Sequence, residues 1–552
     1  MAALMESHCL SFREIPHTAK LYSAFLEDFS RVSAYYVHPP TAAGIGAAAR
    51  EVRLDAEVRA AVVGILREQN RRFGPGGGLD RQTARNLDRL AAGAVAIVTG
   101  QQVGLFSGPA YTIYKALSAI RCAEETTRRG MDAVPVFWLA SEDHDLAEIN
   151  QSSWVTRNGL ARYELPVNEA DVGRRVGEIV LGKAIEPLVS QAAATLEGEG
   201  AETVARAMHE SYGPAETFSS AFAKLMARLL AGRGIIFLDP LDARLHRLTA
   251  PVFRRAVREA GSLRDALLAR SSQLEGAGLH AQVKVTPETT LLFSSASGRR
   301  EPVRSRDSAF VIGEVAISER QLGEAIEKTP EVFSPSALFR PVVQDTLLPT
   351  AAYIGGPAEV AYMAQAHVVY ERILGRMPAI LPRASFTLVE PPMARFLAQY
   401  SLEIRDFFAG PQELRAKMEQ KSVPGELAAR FDAAEASLRS LLHEFEEPIA
   451  RLDSTLVDAL RSTEGRVIQQ FTQLRAKVAR AENFRSGVLD RHQRILLDAL
   501  YPEGGLQERT LCALPFLATH GPALLDQLSA LSSMEDSAGG RSCAQGHQTI
   551  FL

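Results

Sequence analysis

The sequence predicts an α/β fold: a mostly parallel sheet core carrying insertions, followed by a C-terminal α-helical coiled coil. Three observations predict it. Short apolar runs alternate with helical periodicity as far as residue 390, the pattern of parallel strands joined by crossover helices. Twice a glycine-rich turn leads into a proline that opens a helical pattern, at 100–109 and at 355–357, where proline suits a first helical turn. Beyond residue 391 strand signals nearly vanish, and from Phe445 onward apolar residues follow a 4-3 spacing.

Taken in order, residues 1–93 read as helical and surface-like. Apolar spacing at Val52, Leu54, Val58, Val62 and Leu66 marks a helical stretch over 47–72. The glycine-rich 73–79 is a loop before a helix over 81–90. The run 94–98 is a strand that stops at Thr99-Gly100; a loop with Gly100, Gly104 and Gly108 follows, then a helix opened by Pro109 with Ile113, Leu117, Ile120 and Ala123 on one face. A second strand, 134–140, ends at Ser141-Glu142-Asp143-His144-Asp145. This first half of the core spans 94–155. Residues 156–335 form an α/β insertion: strand character over 153–181, helix over 185–230, a buried strand at 234–238, helices over 243–260 and 263–276, a hairpin pairing 283–285 with 290–293, and further β character to 313. The second half, 336–390, holds the helix 358–374 and a strand at 379–381. Residues 391–500 form the coiled coil. Its seam is Phe445, Ile449, Leu452, Leu456, Ala459, Thr463, Val467, Phe471, Leu474, Val478 and Ala481, on one long helix with Pro448 in its first turn. A second arm over 426–442 packs against it, and the pairing can be within or between chains. The segment 501–552 returns to the core; 532–545 reads as loop, and 549–552 as a last strand.

Composition narrows the function. A chain of 552 residues with net charge −4 and 46% hydrophobic residues is that of a globular protein without a basic excess, so nucleic acid is not an expected partner. No apolar stretch approaches the roughly 18 residues of a membrane span, and the N-terminus lacks the apolar region of a signal peptide. Cys9, Cys122, Cys512 and Cys543 are too scattered for a disulfide framework or a cysteine zinc site, and a cytoplasmic location is expected. Neither a P-loop nor a strict G-x-G-x-x-G is present.

Two clusters can carry chemistry. Ligands bind outside the carboxyl ends of parallel strands, and backbone N–H groups of a glycine turn and a helix start attract anions. Thr99, Gly100, Gln101, Gln102, Gly104, Ser107, Gly108 and Tyr111 are therefore candidate nucleotide contacts, and Lys115, two turns into the helix, can reach a phosphate. Glu142, Asp143, His144 and Asp145 crowd three acids and an imidazole, a set that suits Mg²⁺ binding or amine deprotonation. The bland alternative is a helix N-cap by Ser141 or Asp143. Gln344, Asp345, Tyr353, Gly355, Gly356 and Glu359 form a second wall, and Arg383 and Ser385 follow a strand end.

Thr99-Gly-Gln-Gln-Val-Gly104, Ser107-Gly-Pro-Ala-Tyr-Thr-Ile-Tyr-Lys115, Val136-Phe-Trp-Leu-Ala-Ser-Glu-Asp-His-Asp145 and Tyr353-Ile-Gly-Gly-Pro-Ala-Glu359 closely resemble the bacterial bacillithiol-biosynthesis cysteine ligase family, nearly end to end. The resemblance implies a Rossmann-like core with connective insertions and a coiled coil that forms a homodimer. It implies ligation of cysteine to the amine of glucosaminyl-malate, with ATP as cosubstrate (ADP or AMP as product), and Mg²⁺. The core is also similar in architecture to class I aminoacyl-tRNA synthetases, so the cysteine carboxyl would be activated as an adenylate or by phosphoryl transfer. In that setting His144 would accept the amine proton, Glu359 or Asp345 would bind an amine, and Arg383 and Ser385 would hold carboxylates or a phosphate. Zinc is not expected. The family pattern has a histidine where Tyr114 stands here, so that residue's role does not carry over. The residues alone leave open a nucleotide-binding scaffold without ligase activity, or a ligase for another amine.

Overall fold

The computed structural model of the chain describes residues 7–306, 309–421, 425–533 and 546–552. Two compact units emerge: His8–Thr387 with Glu508–Gln548, and Leu388–Gln507 with Thr549–Leu552.

The larger unit is built on five parallel strands: β1 (Val95–Gln101), β2 (Ala133–Leu139), β3 (Ile236–Leu238), β4 (Thr350–Gly355) and β5 (Ala379–Pro382), in the order β5-β4-β1-β2-β3. Ile97, Val98, Val136, Phe137, Ile236, Leu238, Ile354 and Leu381 are all buried, because strands covered on both faces must be apolar throughout. The order reverses between β1 and β4, the place where open α/β sheets leave a ligand crevice. Helix α1 (Tyr111–Arg128) follows β1, and α2 (Pro357–Ile373) follows β4.

A five-stranded antiparallel sheet is inserted between β3 and β4, in the order Val315–Ile317, Ala309–Ile312, Glu301–Arg306, Thr289–Ser294, Phe333–Pro335. Gln151–Thr156 and Gly159–Glu164 form a separate hairpin.

Several expectations change. The N-terminal part contributes core rather than surface: Leu21, Tyr22, Phe25, Leu66 and Phe73 are at most 1% exposed. The stretch 47–72 is two helices, Ala42–Glu51 and Ala56–Phe73, because Asp55 caps the second by accepting from the Glu57 and Val58 N–H groups. Strand β1 runs on through Thr99-Gly100 to Gln101; Gly100 pairs with Trp138, and a Cβ at Gly100 would stand 2.8 Å from the Trp138 carbonyl oxygen. Residues 283–285 form no strand, since the Val283 backbone N–H and C=O bond the side chain of Gln365 instead. Cys9 is disulfide-bonded, a bond the spacing does not reveal, while Cys122 and Cys512 are free and buried.

In the smaller unit the long helix is broken. Glu446–Leu452 ends at Asp453, whose φ of −161° and ψ of 115° are extended, and α4 (Leu456–Ser486) begins after it. Helix α3 (Gly425–His443) packs on α4 within the chain: the Phe431 and Phe471 rings lie 5.3 Å apart, Arg475 pairs with Asp432, and Arg439 with Glu464. A strand forms at His547–Phe551. The loop expected at 532–545 lies, beyond Ser533, outside the described residues. Among the described residues no helix is long and apolar enough to cross a membrane.

Candidate active site

At the reversal of strand order a cavity of about 470 Å³ opens over the carboxyl ends of the strands. It is lined by Gly100 and Gln101 from β1, by Trp138 of β2 with Ala140 just after it, and by Tyr353 of β4 with Gly356 just after it. Gln102, Tyr111 and Lys115 also line it, as does the start of α2, Pro357–Glu359 with Tyr362. The inserted sheet supplies Phe293, Arg300 and Pro335, the helix Arg340–Leu347 supplies Arg340, and the C-terminal segment supplies Arg509.

Lys115 and Glu359 form an ion pair in the wall. The Lys115 ammonium also donates to the Gly100 carbonyl and to Gln101 Oε1, each at 2.8 Å, so its three N–H donors are spent inside the protein. Glu359 accepts from Tyr353 Oη at 2.6 Å and, reaching back to the start of α2, from the Gly356 N–H at 2.8 Å. Burial works against its charge, but Lys115 and these hydrogen bonds hold its carboxyl below the usual range.

The acidic cluster is divided by the fold. Glu142 is 7% exposed and faces the cavity. Burial pushes its carboxyl up to about 7 against the nearby charges of Arg300 and Arg175. Behind it His246 Nε2 lies 3.5 Å from Glu142 Oε1, and neither atom has a hydrogen-bond partner among the described residues. Asp143 also lines the cavity. Burial opposes its ionisation too, but hydrogen bonds from His144 and Gln102 and the charge of Arg300 hold it well below the usual carboxylate range. His144 and Asp145 do not line the cavity. His144 is turned to Arg300, 3.1 Å from its Nη1, and Asp145 caps the short helix Leu146–Ile149 by accepting from the Glu148 N–H. The cap falls to Asp145 rather than to Ser141 or Asp143, because Ser141 is bonded to Asp239 and Asp143 to the His144 N–H.

Of the proposed nucleotide contacts, Gly100, Gln101, Gln102, Tyr111 and Lys115 line the cavity, whereas Thr99, Gly104, Ser107 and Gly108 do not. Thr99 donates to the Ile354 carbonyl; Ser107 is buried beside Cys512; and Gly104 approaches Gly108 so closely that a Cβ would stand 2.9 Å from its Cα. The start of α1 is occupied from within, its Ala110 N–H donating to the Leu511 carbonyl. Of the second wall, Tyr353, Gly356, Glu359 and Arg383 line the cavity; Gln344, Asp345, Gly355 and Ser385 do not. Gln344 donates to Asp345, which accepts from Tyr370. Ser385 donates to Glu508, and the same carboxylate takes the Arg383 guanidinium in two hydrogen bonds of 2.7 and 2.9 Å. Tyr114 is buried against Phe386 with its ring edge-on at 5.0 Å, away from the cavity.

The profile of the bacillithiol biosynthesis BshC N-terminal Rossmann-like domain matches residues 5–384, and that of the BshC C-terminal coiled-coil domain matches 386–537. The chain belongs to the bacillithiol biosynthesis BshC family. Relatives named "Putative cysteine ligase BshC" include one from Koribacter versatilis, 40% identical over 94% of this chain and 96% of the relative. Those from Solibacter usitatus and Salinibacter ruber are 36% and 33% identical, each over 94% of this chain and over 96% and 95% of their own.

Sequence reasoning missed Trp138, Glu148, Phe293, Arg300, Arg340, Tyr362 and Arg509 in this BshC site. Glu148 stands one turn past the acidic cluster and Arg340 one turn before Gln344, so helical spacing was a usable signal for both. Arg300 and Arg509 arrive from distant segments, and no local pattern marks them.

Among the described residues no group of three or more His, Cys, Asp or Glu side chains is arranged to hold a metal ion. The donors that face the cavity point different ways: Glu142 to His246, and Asp143 to Gln102.

Proposed function

We propose that the chain is an ATP-dependent cysteine ligase that joins cysteine to the amine of glucosaminyl-malate, forming bacillithiol in the cytoplasm. The observation that carries the reading is Glu142: a carboxyl whose ionisation falls near neutrality, opening onto the same cavity as Lys115, Arg300, Arg340 and Arg383. A cavity for anionic substrates that contains a carboxylate base suits acyl transfer to an ammonium group. The names borne by the relatives support the same activity.

ATP, when bound, supplies activation of the cysteine carboxyl. The residues fit such a ligand: Gly100, Gln101, Gln102 and Tyr111 offer polar groups to the cavity, and the first residues of α2 line it as well. Mg²⁺ would be held mostly by phosphate oxygens, with one carboxylate from the protein, as is usual for this ion. Glu142, as carboxylate, takes a proton from the acceptor's ammonium, leaving the nitrogen lone pair free to attack. Asp143, fixed by Gln102 and His144, remains an anion and orients the amine. Trp138 and Phe293 bound the cavity with apolar surface and limit water near the activated acyl group.

The test is to incubate purified protein with ATP, Mg²⁺, cysteine and glucosaminyl-malate, and to assay bacillithiol by mass spectrometry. Product accompanied by AMP identifies adenylyl activation, and product with ADP identifies phosphoryl transfer. Nucleotide binding without cysteine-dependent product would sink the ligase reading in favour of a scaffold.

A further inference from the structure

We propose that Arg340 anchors an anion subsite of this cavity, one that takes a carboxylate or phosphate oxygen of a ligand. The inference rests on the cavity being the substrate site and deepens that reading.

Five cationic side chains line the cavity, and most have a partner of opposite charge. Lys115 has Glu359. Arg383 has Glu508. Arg300 stands 3.7 Å from Asp143. Arg509 is exposed to solvent, which can balance its charge. Arg340 differs from all four. Its guanidinium donates to Gln344 Oε1 at 2.9 Å, and to the hydroxyls of Tyr353 and Tyr362 at 3.1 Å each. All three partners are neutral, and no carboxylate among the described residues pairs with it. Those bonds use three of the five N–H donors of a guanidinium. The remaining two have no protein partner among the described residues.

The group is also held in place. Its plane centre lies 5.3 Å from the Tyr353 ring and 6.0 Å from Trp138. Tyr353 is fixed in turn by Glu359, and Gln344 by its bond to buried Asp345. Glu359 and Glu142 act on it only at a distance, Glu359 through the Tyr353 hydroxyl, and a largely buried cation whose direct partners are all neutral is best balanced when a charge arrives with the ligand. Arginine is the side chain suited to oxyanions, since its planar fork meets their oxygens directly. Arg383, by contrast, has its charge matched by Glu508, so the carboxylate or phosphate role expected of it passes to Arg340.

The test uses the full-length protein and calorimetric titration with three separate probes: ATP, L-cysteine and L-malate. In Arg340→Gln one probe should bind at least tenfold more weakly than in the wild type, with the others within threefold. Arg340→Lys, which keeps the charge without the fork, should lose less. Loss of ATP binding would assign the subsite to a phosphate; loss of malate or cysteine would assign it to that carboxylate. The subsite is overturned if all three affinities are unchanged, or if the wild type binds none of the probes. It is also overturned if both variants lose all three equally with a lowered melting temperature, since Arg340 would then only brace the tyrosines. Binding is read without turnover, so a wild type that binds these probes but makes no bacillithiol would sink the ligase reading and leave the subsite standing.

Discussion

Lys115 and Glu359 meet as a buried ion pair that ties α1 to α2 at the reversal of strand order, each side chain at most 17% exposed. The two residues belong to the two halves of the core, and each is also bonded to a glycine turn: Lys115 to the Gly100 carbonyl, Glu359 to the Gly356 N–H. The pair therefore fixes both turns that bound the cavity. Removing one partner strands the other charge out of water, a loss of about 3–5 kcal/mol. Lys115→Met and Glu359→Leu should each fall in that range by urea denaturation. The double substitution should cost clearly less than the sum, since no charge is left behind. Additive single effects would show that the pair does not couple the two halves.

Glu142 sets the expected pH dependence. Only its carboxylate can accept a proton from the ammonium, so turnover should rise with pH through about 7, where its carboxyl ionises. Glu142→Gln should lose about 100-fold or more in kcat and flatten that limb. Stability moves the opposite way. The folded chain holds this proton more tightly than the unfolded chain, whose glutamate ionises near 4.5. The advantage is complete below that value and is lost as pH rises through about 7. Glu142→Gln should therefore be the more stable protein above about 7, by roughly 3 kcal/mol, with the difference shrinking as pH falls and vanishing only below about 4.5. A thermal-melting series across pH checks the sign.

Gly100 is expected to tolerate no side chain. Its Cβ position is 2.8 Å from the Trp138 carbonyl oxygen and 3.1 Å from Trp138 Cβ, both on the neighbouring strand, with no flexible atom to yield. Gly100→Ala should separate β1 from β2 and cost about 1–3 kcal/mol. Trp138 lines the cavity, so probe binding should weaken as well. Unchanged urea midpoint and binding would mean that the sheet can open there at little cost.

Much of the core was legible because its signals are local. The apolar runs at 94–98, 134–140 and 234–238 had to be strands buried on both faces, and the prolines at 109 and 357 marked helix starts. What failed depended on partners distant in sequence. Thr99 and Gln101 lie two residues apart on the same face of one strand, yet Thr99 bonds the adjacent strand while Gln101, at the strand end, reaches the cavity; that depends on which strands pair and where they end, and no local pattern records it. From the sequence His144 is a candidate base; in the fold Arg300, 156 positions away, lies 3.1 Å from its ring nitrogen, a contact no local pattern reveals. The helix breaks at Asp55 and Asp453 are single-residue decisions between capping and continuing, and the apolar periodicity passes through both without interruption.

The smaller unit gives the last prediction, that the chain is a homodimer through the helical pair. Packing of α3 on α4 covers Phe431, which is 8% exposed. It leaves Leu441, Phe445, Leu452, Leu456 and Leu474 between 44% and 82% exposed. All five lie on the helical hairpin or its turn, and four of them belong to the 4-3 seam read from the sequence. Exposed apolar side chains along a helical pair are the kind of surface a second chain can cover. A second copy would present the same residues, so two-fold pairing of the hairpins is the expected outcome. Light scattering at micromolar concentration should give twice the 60.0 kDa of one chain. Leu452→Asp with Leu474→Asp should shift the protein to monomer while leaving the melting of the larger unit unchanged. A wild type that is monomeric under those conditions would remove the coiled coil as an interface, and the exposed stripe would then need another partner.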